Sequence, residues 1–329
     1  MVPQNLKAIH LDYLNSEPTH SASIIEVSEA CSCSEKMTKK VLEELSEDGM
    51  PIKFDFKTVT LLNPILSKTS IINQLETERI GHHIILLQSV DSTNDYIKKH
   101  LSSLNHGSLV LAHEQTVGKG RLGRQWSSPA GKTISMSLLL KPSNQKLRYS
   151  ILTQMAAAAL VQSLSANNIQ AEIKWPNDVL VHKKKISGIL TEAEYSGSQL
   201  EGIIIGIGVN TNLDKEDIPL FLKEKASSLK IEVETVDPNK IISKFLEFFE
   251  TYYESWLSDQ DSKPFLDVCR KHSALIGHQY WIEDTDSRRK ASIDSLDVDG
   301  ALVVTYLDTS ETTPLISTHY SIRGDNGYI

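Results

Sequence analysis

Residues able to do chemistry are concentrated in a few short segments of this chain. In Glu114–Trp126, three glycines (Gly118, Gly120, Gly123) are interleaved with three cations (Lys119, Arg121, Arg124). Glycines let backbone N–H groups come close to an anion, and an arginine fork grips carboxylate or phosphate with paired hydrogen bonds. The loop therefore suits a phosphate or a carboxylate undergoing activation; a solvated basic loop is the alternative. The glycine spacing also fits G-x-G-x-x-G, but a dinucleotide fold needs a helix directly afterwards and an acidic residue about 20 positions on. Here Ser127, Ser128, Pro129 and Gly131 follow, and then a strand pattern. Gly131-Lys132-Thr133 resembles the end of a P-loop, yet Trp126 stands where its first glycine belongs and no helix pattern follows.

Lys174-Trp175-Pro176-Asn177-Asp178 leads along a strand pattern to Lys185-Ile186-Ser187-Gly188-Ile189-Leu190. Pro176 cannot donate to a β-ladder, so it marks a break and leaves Asn177 and Asp178 at a strand junction. Asp178 could bind Mg²⁺, orient a ribose or accept a proton; an Asx-turn is the bland alternative. Lys185 precedes an apolar strand, which favours a partly buried ammonium. Gly206 and Gly208 alternate within an apolar run and leave a bare patch on one face of a strand, fit for a flat ligand or for tight packing. Ser92-Thr93-Asn94-Asp95 has the spacing of a capping box, so helix initiation is expected there with or without ligand contact.

The elements that must position these groups follow from periodicity. Residues 1 to about 66 predict three helices, over Leu6–Leu14, Ile24–Ala30 and Glu35–Leu45, the last capped by Ser34. A hairpin carrying Ile52, Phe54, Phe56, Val59 and Leu61 comes next, which together outlines a winged helix-turn-helix. Lys68–Arg79 reads as a linker helix. Strands are expected at Ile84–Leu87, Ser108–His113, Thr133–Leu140, Ala171–Trp175, Val179–His182, Ile186–Tyr195 and Leu200–Val209. Helices at Thr93–Leu104 and Leu147–Ala166 interrupt them. The connections between Ala171 and Val209 are too short for parallel crossovers, which excludes a doubly wound sheet there. Asn239–Leu257 and Phe265–His272 predict amphipathic helices, and Gly277–Arg323, with turns at Asp284–Asp286 and Asp297–Gly300, predicts a small all-β unit.

At 329 residues the chain exceeds what one core supports. A net charge of -8 argues against a whole-protein grip on nucleic acid and leaves only a local basic surface for one. Cys31, Cys33 and Cys269 make neither a disulfide framework nor a zinc site, so the metal expectation is none. No apolar stretch approaches the roughly 20 residues of a membrane span, and a cytoplasmic location without membrane contact is expected.

Taken together and in this order, Ser-Thr-Asn, Gly-x-Gly-Arg-x-Gly-Arg-x-Trp, Lys-Trp-Pro-Asn-Asp, Lys-x-x-Gly-Ile-Leu and Gly-x-Gly-x-Asn resemble the biotin protein ligase family over roughly residues 80 to 329. Residues 1–66 are similar to the DNA-binding domain of its bifunctional, repressor members. The resemblance implies a multidomain α+β fold. Its parts are a winged helix-turn-helix (1–66), a linker (67–80) and a catalytic domain (81–272) with a class II synthetase-like, mostly antiparallel mixed sheet and flanking helices. A small SH3-like β-barrel (273–329) completes it. Ser92, Thr93, Asn94, Gln115, Lys119, Gly120, Arg121, Lys185, Gly206 and Gly208 would hold biotin. Arg121, Arg124, Trp126, Asn177, Asp178 and Asn210 would face the nucleotide. Lys185, Arg121 and Asp178 would carry catalysis, with ATP and Mg²⁺ required. At Lys119 the family usually has arginine; lysine keeps the charge but loses the bidentate fork.

The implied reaction forms biotinyl-5′-AMP and passes biotin to a lysine of a biotin carboxyl carrier protein. A lipoate or octanoate ligase and a non-catalytic biotin-sensing repressor are the rival readings. For operator DNA, Ser34, Lys36, Thr38, Lys39 and Lys40 are the candidate contacts, although Glu35, Glu43 and Glu44 oppose the lysines; a domain used only for packing is the alternative. A ligand-dependent homodimer is implied, with an edge strand at Thr133–Leu140 or Ile186–Tyr195.

Overall fold

A computed structural model describes residues 2–55, 57–142, 149–284, 287–316, 320–325 and 328–329. Phe56, the start of the helix expected from Leu147, and part of the turn expected at Asp284–Asp286 lie outside the described residues.

The first unit holds α1 (Gln4–Ser16), β1 (Ser21–Ser23), α2 (Ile24–Ala30), α3 (Glu35–Glu47), β2 (Ile52–Asp55) and β3 (Thr58–Leu61), its strands ordered β1-β3-β2. Periodicity locates the helices; β1, three residues long, is too short to leave a pattern. Leu11, Leu14, Val27, Val41, Leu42, Leu45 and Val59 form the core, which also takes in Ala130 from the next unit. A further docking contact is close: a Cβ on Gly131 would stand 2.6 Å from Cδ of Pro51.

The linker helix is shorter than expected: α4 spans Lys68–Asn73. Beyond it the chain is held instead by the Glu250 carboxylate, which accepts the backbone N–H groups of Glu78, Arg79 and Ile80 at 2.7, 2.8 and 2.8 Å.

The central sheet is mixed. It contains β4 (Ile84–Val90), β5 (Leu109–Gln115), β6 (Thr133–Leu140), β7 (Glu172–Lys174), β8 (Asp178–Val181), β9 (Lys184–Ser196) and β10 (Gln199–Asn210), ordered β4-β5-β6-β10-β9-β8-β7. Only β4 and β5 are parallel, joined across α5 (Thr93–Lys99); β7 to β10 are antiparallel neighbours, as their short turns require. The sheet edges are β4 and β7, which corrects the expectation of an edge at Thr133–Leu140 or Ile186–Tyr195: β6 is buried at all eight positions because it lies between β5 and β10.

One face of the sheet packs on α5 through Ile97, Val110, Leu139 and Ile204. The other packs on α6 (Leu152–Ala166), with α7 (Leu229–Glu232), α8 (Pro238–Asp259) and α9 (Lys263–Lys271) completing the helices. The run Ala156–Ala159 is fully buried and lets α8 come close, close enough for the Ser163 hydroxyl to donate to the Ile241 carbonyl at 2.6 Å. On α8, Ile241, Ile242, Phe245, Phe249, Tyr253 and Trp256 recur at helical spacing and carry the contact.

The last strands are β11 (Gln279–Glu283), β12 (Arg288–Leu296), β13 (Leu302–Tyr306), β14 (Thr312–Leu315) and β15 (Ser321–Arg323), an antiparallel sheet ordered β14-β13-β12-β11-β15. Its end strands β14 and β15 do not pair with each other among the described residues, so a sheet is described there and not a closed barrel. It is sewn to the central unit where the Trp175 indole donates to the Gly300 carbonyl at 3.0 Å.

Candidate functional site

A cavity of about 420 Å³ opens where α5, the glycine loop, β8 to β10 and the segment after β14 converge. All four sequence segments line it.

At one end, Ser92 caps α5 through the Asp95 N–H, at 3.4 Å. The adjacent side chains are fixed from behind. Gln115 accepts from the Thr93 N–H and hydroxyl at 2.9 and 3.1 Å, and donates to Ser128 at 3.2 Å. Asn94 donates to Glu192 at 2.7 Å, and the Ser137 hydroxyl reaches both Thr93 and Asn94. This network is buried and polar, and so is held in one arrangement by its own hydrogen bonds. Ser137 and Glu192 carried no motif: Ser137 is one of three hydroxyl residues on a fully buried strand, and Glu192 is one of several polar residues on β9.

The floor is the glycine pair. A Cβ on Gly206 would run into the Asn94 amide, and one on Gly208 into the Trp126 indole. Trp126 lies over Gly208 and its cross-strand partner Gly188, its buried indole N–H without a hydrogen-bond partner among the described residues. Gly206 and Gly208 thus give close packing against Asn94 and Trp126, the second of the two roles open to them, and the ring resting there is one the resemblance assigned to the nucleotide. The loop itself is a folded ribbon: Gly120 N–H donates to the Arg124 carbonyl at 2.7 Å and Trp126 N–H to that of Gly118 at 2.8 Å. Leu122 at its tip is left-handed (φ 57°) and 65% exposed. Lys119 leaves the loop to pair with Asp95 at 2.6 Å, a use for a point charge that needs no fork.

At the other end the charges gather. Arg121 donates to the side-chain oxygen Oδ1 of Asn177 at 2.9 Å, while the side-chain Nδ2 of Asn177 donates to the Ile189 carbonyl at 3.0 Å. Burial lowers the Arg121 pKa below the usual guanidinium value, with Asp178 opposing and Arg124 reinforcing. Lys185 and Asp178 form an ion pair at 2.5 Å, and the second Asp178 oxygen accepts from the Tyr328 hydroxyl at 2.9 Å. Lys174 Nζ stands 3.5 Å from the Tyr328 ring centre. Burial pushes the Lys174 ammonium down to about 7; Asp178 works against that, and Arg323, Lys185 and Arg124 add to it. Neither Lys174 nor Tyr328 was singled out from sequence. Lys174 sits inside a motif read for its asparagine and aspartate, and Tyr328 reaches the site only through the fold.

Of the remaining candidates, Arg124 is exposed at the rim, and Asn210 is buried with its amide donating to the Ser227 carbonyl at 2.9 Å. Among the described residues no cluster of three or more His, Cys, Asp or Glu side chains could hold a metal ion, and no helix is long and apolar enough to cross a membrane. In the first unit, Ser34 caps α3 through the Met37 N–H at 3.3 Å and Lys36, Lys39 and Lys40 are exposed. Thr38 is a correction: it is fully buried, 3.3 Å from His10 Nε2, because it falls on the core stripe of α3, and cannot reach a base edge.

Comparison with known proteins covers the same ground. Residues 86–210, which contain all the motif segments, match the biotin/lipoate A/B protein ligase family. The chain is 37% identical over 240 residues to the bifunctional ligase/repressor BirA of Bacillus spizizenii, covering 71% of this chain and 74% of that protein. It is 30% identical over 228 residues to the biotin–[acetyl-CoA-carboxylase] ligase of Paracoccus denitrificans, covering 67% and 92%. Among solved structures it is similar to the biotin protein ligase from Aquifex aeolicus in complex with biotin and ATP, with a TM-score of 0.64 and 25% identity over 74% of this chain and 99% of that one.

Proposed function

As the chain belongs to the biotin/lipoate A/B protein ligase family and is a ligase, we propose that it joins biotin to AMP at the expense of ATP and transfers the biotinyl group to a lysine of a biotin carboxyl carrier protein. The observation that carries this reading is the cation cluster of Arg121, Lys185 and Lys174 around the Asp178 carboxylate, next to a prebuilt hydrogen-bonding pocket floored by glycine. A carboxylate and a phosphate repel each other unless cations lie between them. Lys185 and Arg121 supply that charge at the junction of the two ends of the cavity. Ser92, Thr93, Asn94 and Gln115 offer fixed donors and acceptors to a polar ring system, with Lys119 and Gly120 on the loop above. Gly206 and Gly208 allow it to approach the backbone, which requires the Trp126 indole to move toward the nucleotide side. Arg124, Trp126, Asn177 and Asn210 then border the adenylate.

Mg²⁺ fits as a companion of the triphosphate, since a single carboxylate and phosphate oxygens suffice for it; it would neutralise phosphate charge. In the transfer step the incoming lysine must lose a proton, and Asp178, reached from the cavity, is the carboxylate placed to take it. The products are biotinyl-lysine, AMP and, from the first step, pyrophosphate. ATP–pyrophosphate exchange should depend on biotin; exchange driven by lipoate instead would reassign the substrate, and exchange with neither would remove the ligase reading.

The first unit reads as a winged helix-turn-helix and the last sheet as an SH3-like domain, with boundaries at 1–66, 67–80, 81–272 and 273–329. Exposed Lys36, Lys39 and Lys40, with Ser34, present a local basic face of α3 suited to operator phosphates, which supports a repressor role; the same reading takes the protein to be cytoplasmic and to dimerise when ligand is bound. Replacing the three lysines by alanine should reduce the slope of log affinity against log salt by roughly 3. A wild-type chain whose DNA binding is insensitive to salt, with and without biotin and ATP, would leave that face to packing alone.

A further inference from the structure

Lys174 is 4% exposed and lines the cavity, yet no carboxylate stands within ion-pairing distance of its ammonium among the described residues. Its neighbour is the Tyr328 ring, 3.5 Å away, whose hydroxyl simultaneously donates to Asp178. A buried ammonium normally has an anion or several acceptors, and an aromatic face is a weaker substitute. The same tyrosine thus occupies two groups that the nucleotide end of the cavity presents. It is held there from outside: Asp325 accepts from the Trp281 indole at 2.8 Å and from Lys290 at 3.3 Å, and the Gly324 N–H donates to the Tyr328 carbonyl at 3.3 Å. The other charges facing Lys174 are Asp178 on β8, Lys185 on β9, Arg323 on β15 and Arg124 on the loop. Three of those four are cations, so the site as a whole is built for an added anion.

We propose that Lys174 binds a phosphate of the nucleotide and that Tyr328 is a placeholder, covering Lys174 and Asp178 until the nucleotide displaces it. This rests on the nucleotide-dependent reading above, and it makes the last sheet a participant in the site. The displacement also explains an otherwise unfavourable arrangement. Lys174 exchanges a ring face for a charged oxygen, and Asp178 is released from the tyrosine hydroxyl before it is needed.

The test is calorimetric titration of the full chain with α,β-methylene-ATP, whose bridge blocks adenylation, in the presence of Mg²⁺ with and without biotin. Lys174→Met should weaken the analogue at least tenfold and leave biotin affinity within twofold, with Lys174→Arg restoring most of the loss. Tyr328→Ala should tighten the analogue two- to fivefold. In the unaltered chain, adding the analogue should raise hydrogen exchange over 321–325, and biotin alone should not. Analogue affinity unchanged in Lys174→Met refutes the phosphate contact; unchanged or weaker binding in Tyr328→Ala, or no change in exchange, refutes the placeholder. Wild-type biotin-dependent pyrophosphate exchange checks the ligase reading separately, since the analogue titration without biotin does not require it.

Discussion

Lys185→Ala is expected to slow biotin-dependent pyrophosphate release by on the order of 10² to 10³-fold, the scale of losing one preorganised donor from a developing charge. The side chain is not an interchangeable surface cation. Its ammonium is fixed by Asp178 at 2.5 Å, and its backbone N–H donates to the Lys225 carbonyl at 2.9 Å, so both stem and head are positioned before any ligand arrives. Preorganisation of this kind spares the reaction the cost of assembling charge at the moment it develops. Truncation also leaves Asp178 without its cation, facing the same region in which two anions must meet. Loss should therefore appear in the rate of adenylation and not only in the affinity for either substrate. A single-turnover burst of unchanged rate would refute the role, and Lys185→Arg, which keeps charge but not shape, should recover only part of it.

Glu250→Ala is expected to lower folding stability by about 3 kcal/mol, the scale of charge-assisted hydrogen bonds lost from a buried acceptor. From the middle of α8, Glu250 receives three consecutive N–H groups at the entrance to β4. Glu78 and Arg79 are exposed, so water can replace the carboxylate there; Ile80 is fully buried, and its N–H would be left without a partner. Glu250→Gln, which retains an acceptor oxygen but loses the charge, should cost about half as much. Denaturant titration of both variants checks this, and equal midpoints for the two would argue that helix packing rather than the clamp holds the segment. Because the clamp sets where β4 begins, ligand affinity should fall less than stability does.

The wild-type motifs were legible because their chemistry is local. A capping serine, a proline break and alternating glycines act within a few residues, so Ser92, Pro176, Gly206 and Gly208 announced their backbone roles directly. The exclusion of a doubly wound sheet was equally local, since it followed from turn length. Helix ends were less so. Thr93–Leu104 and Lys68–Arg79 are shorter helices than periodicity suggested, because the chain beyond each is captured by tertiary contacts that continue the apolar pattern without the helix. Thr38 shows how a lysine-rich turn can mislead about side-chain direction: it shares the buried stripe of Val41, Leu42 and Leu45 and faces His10, while the lysines around it point outward.

The composition of the site was therefore determined by the sequence, and its partnerships by the tertiary structure. The glycine loop, Lys185 and Asp178 could be named as a set, but Arg121 meets Asn177 across 56 residues, Asn94 meets Glu192 across 98 and Tyr328 meets Asp178 across 150. Such pairs depend on strand order and register in the central sheet and on how the last sheet docks against it. Those are properties of long-range packing, where each choice is selected by burial of the whole apolar face and no short segment carries the information.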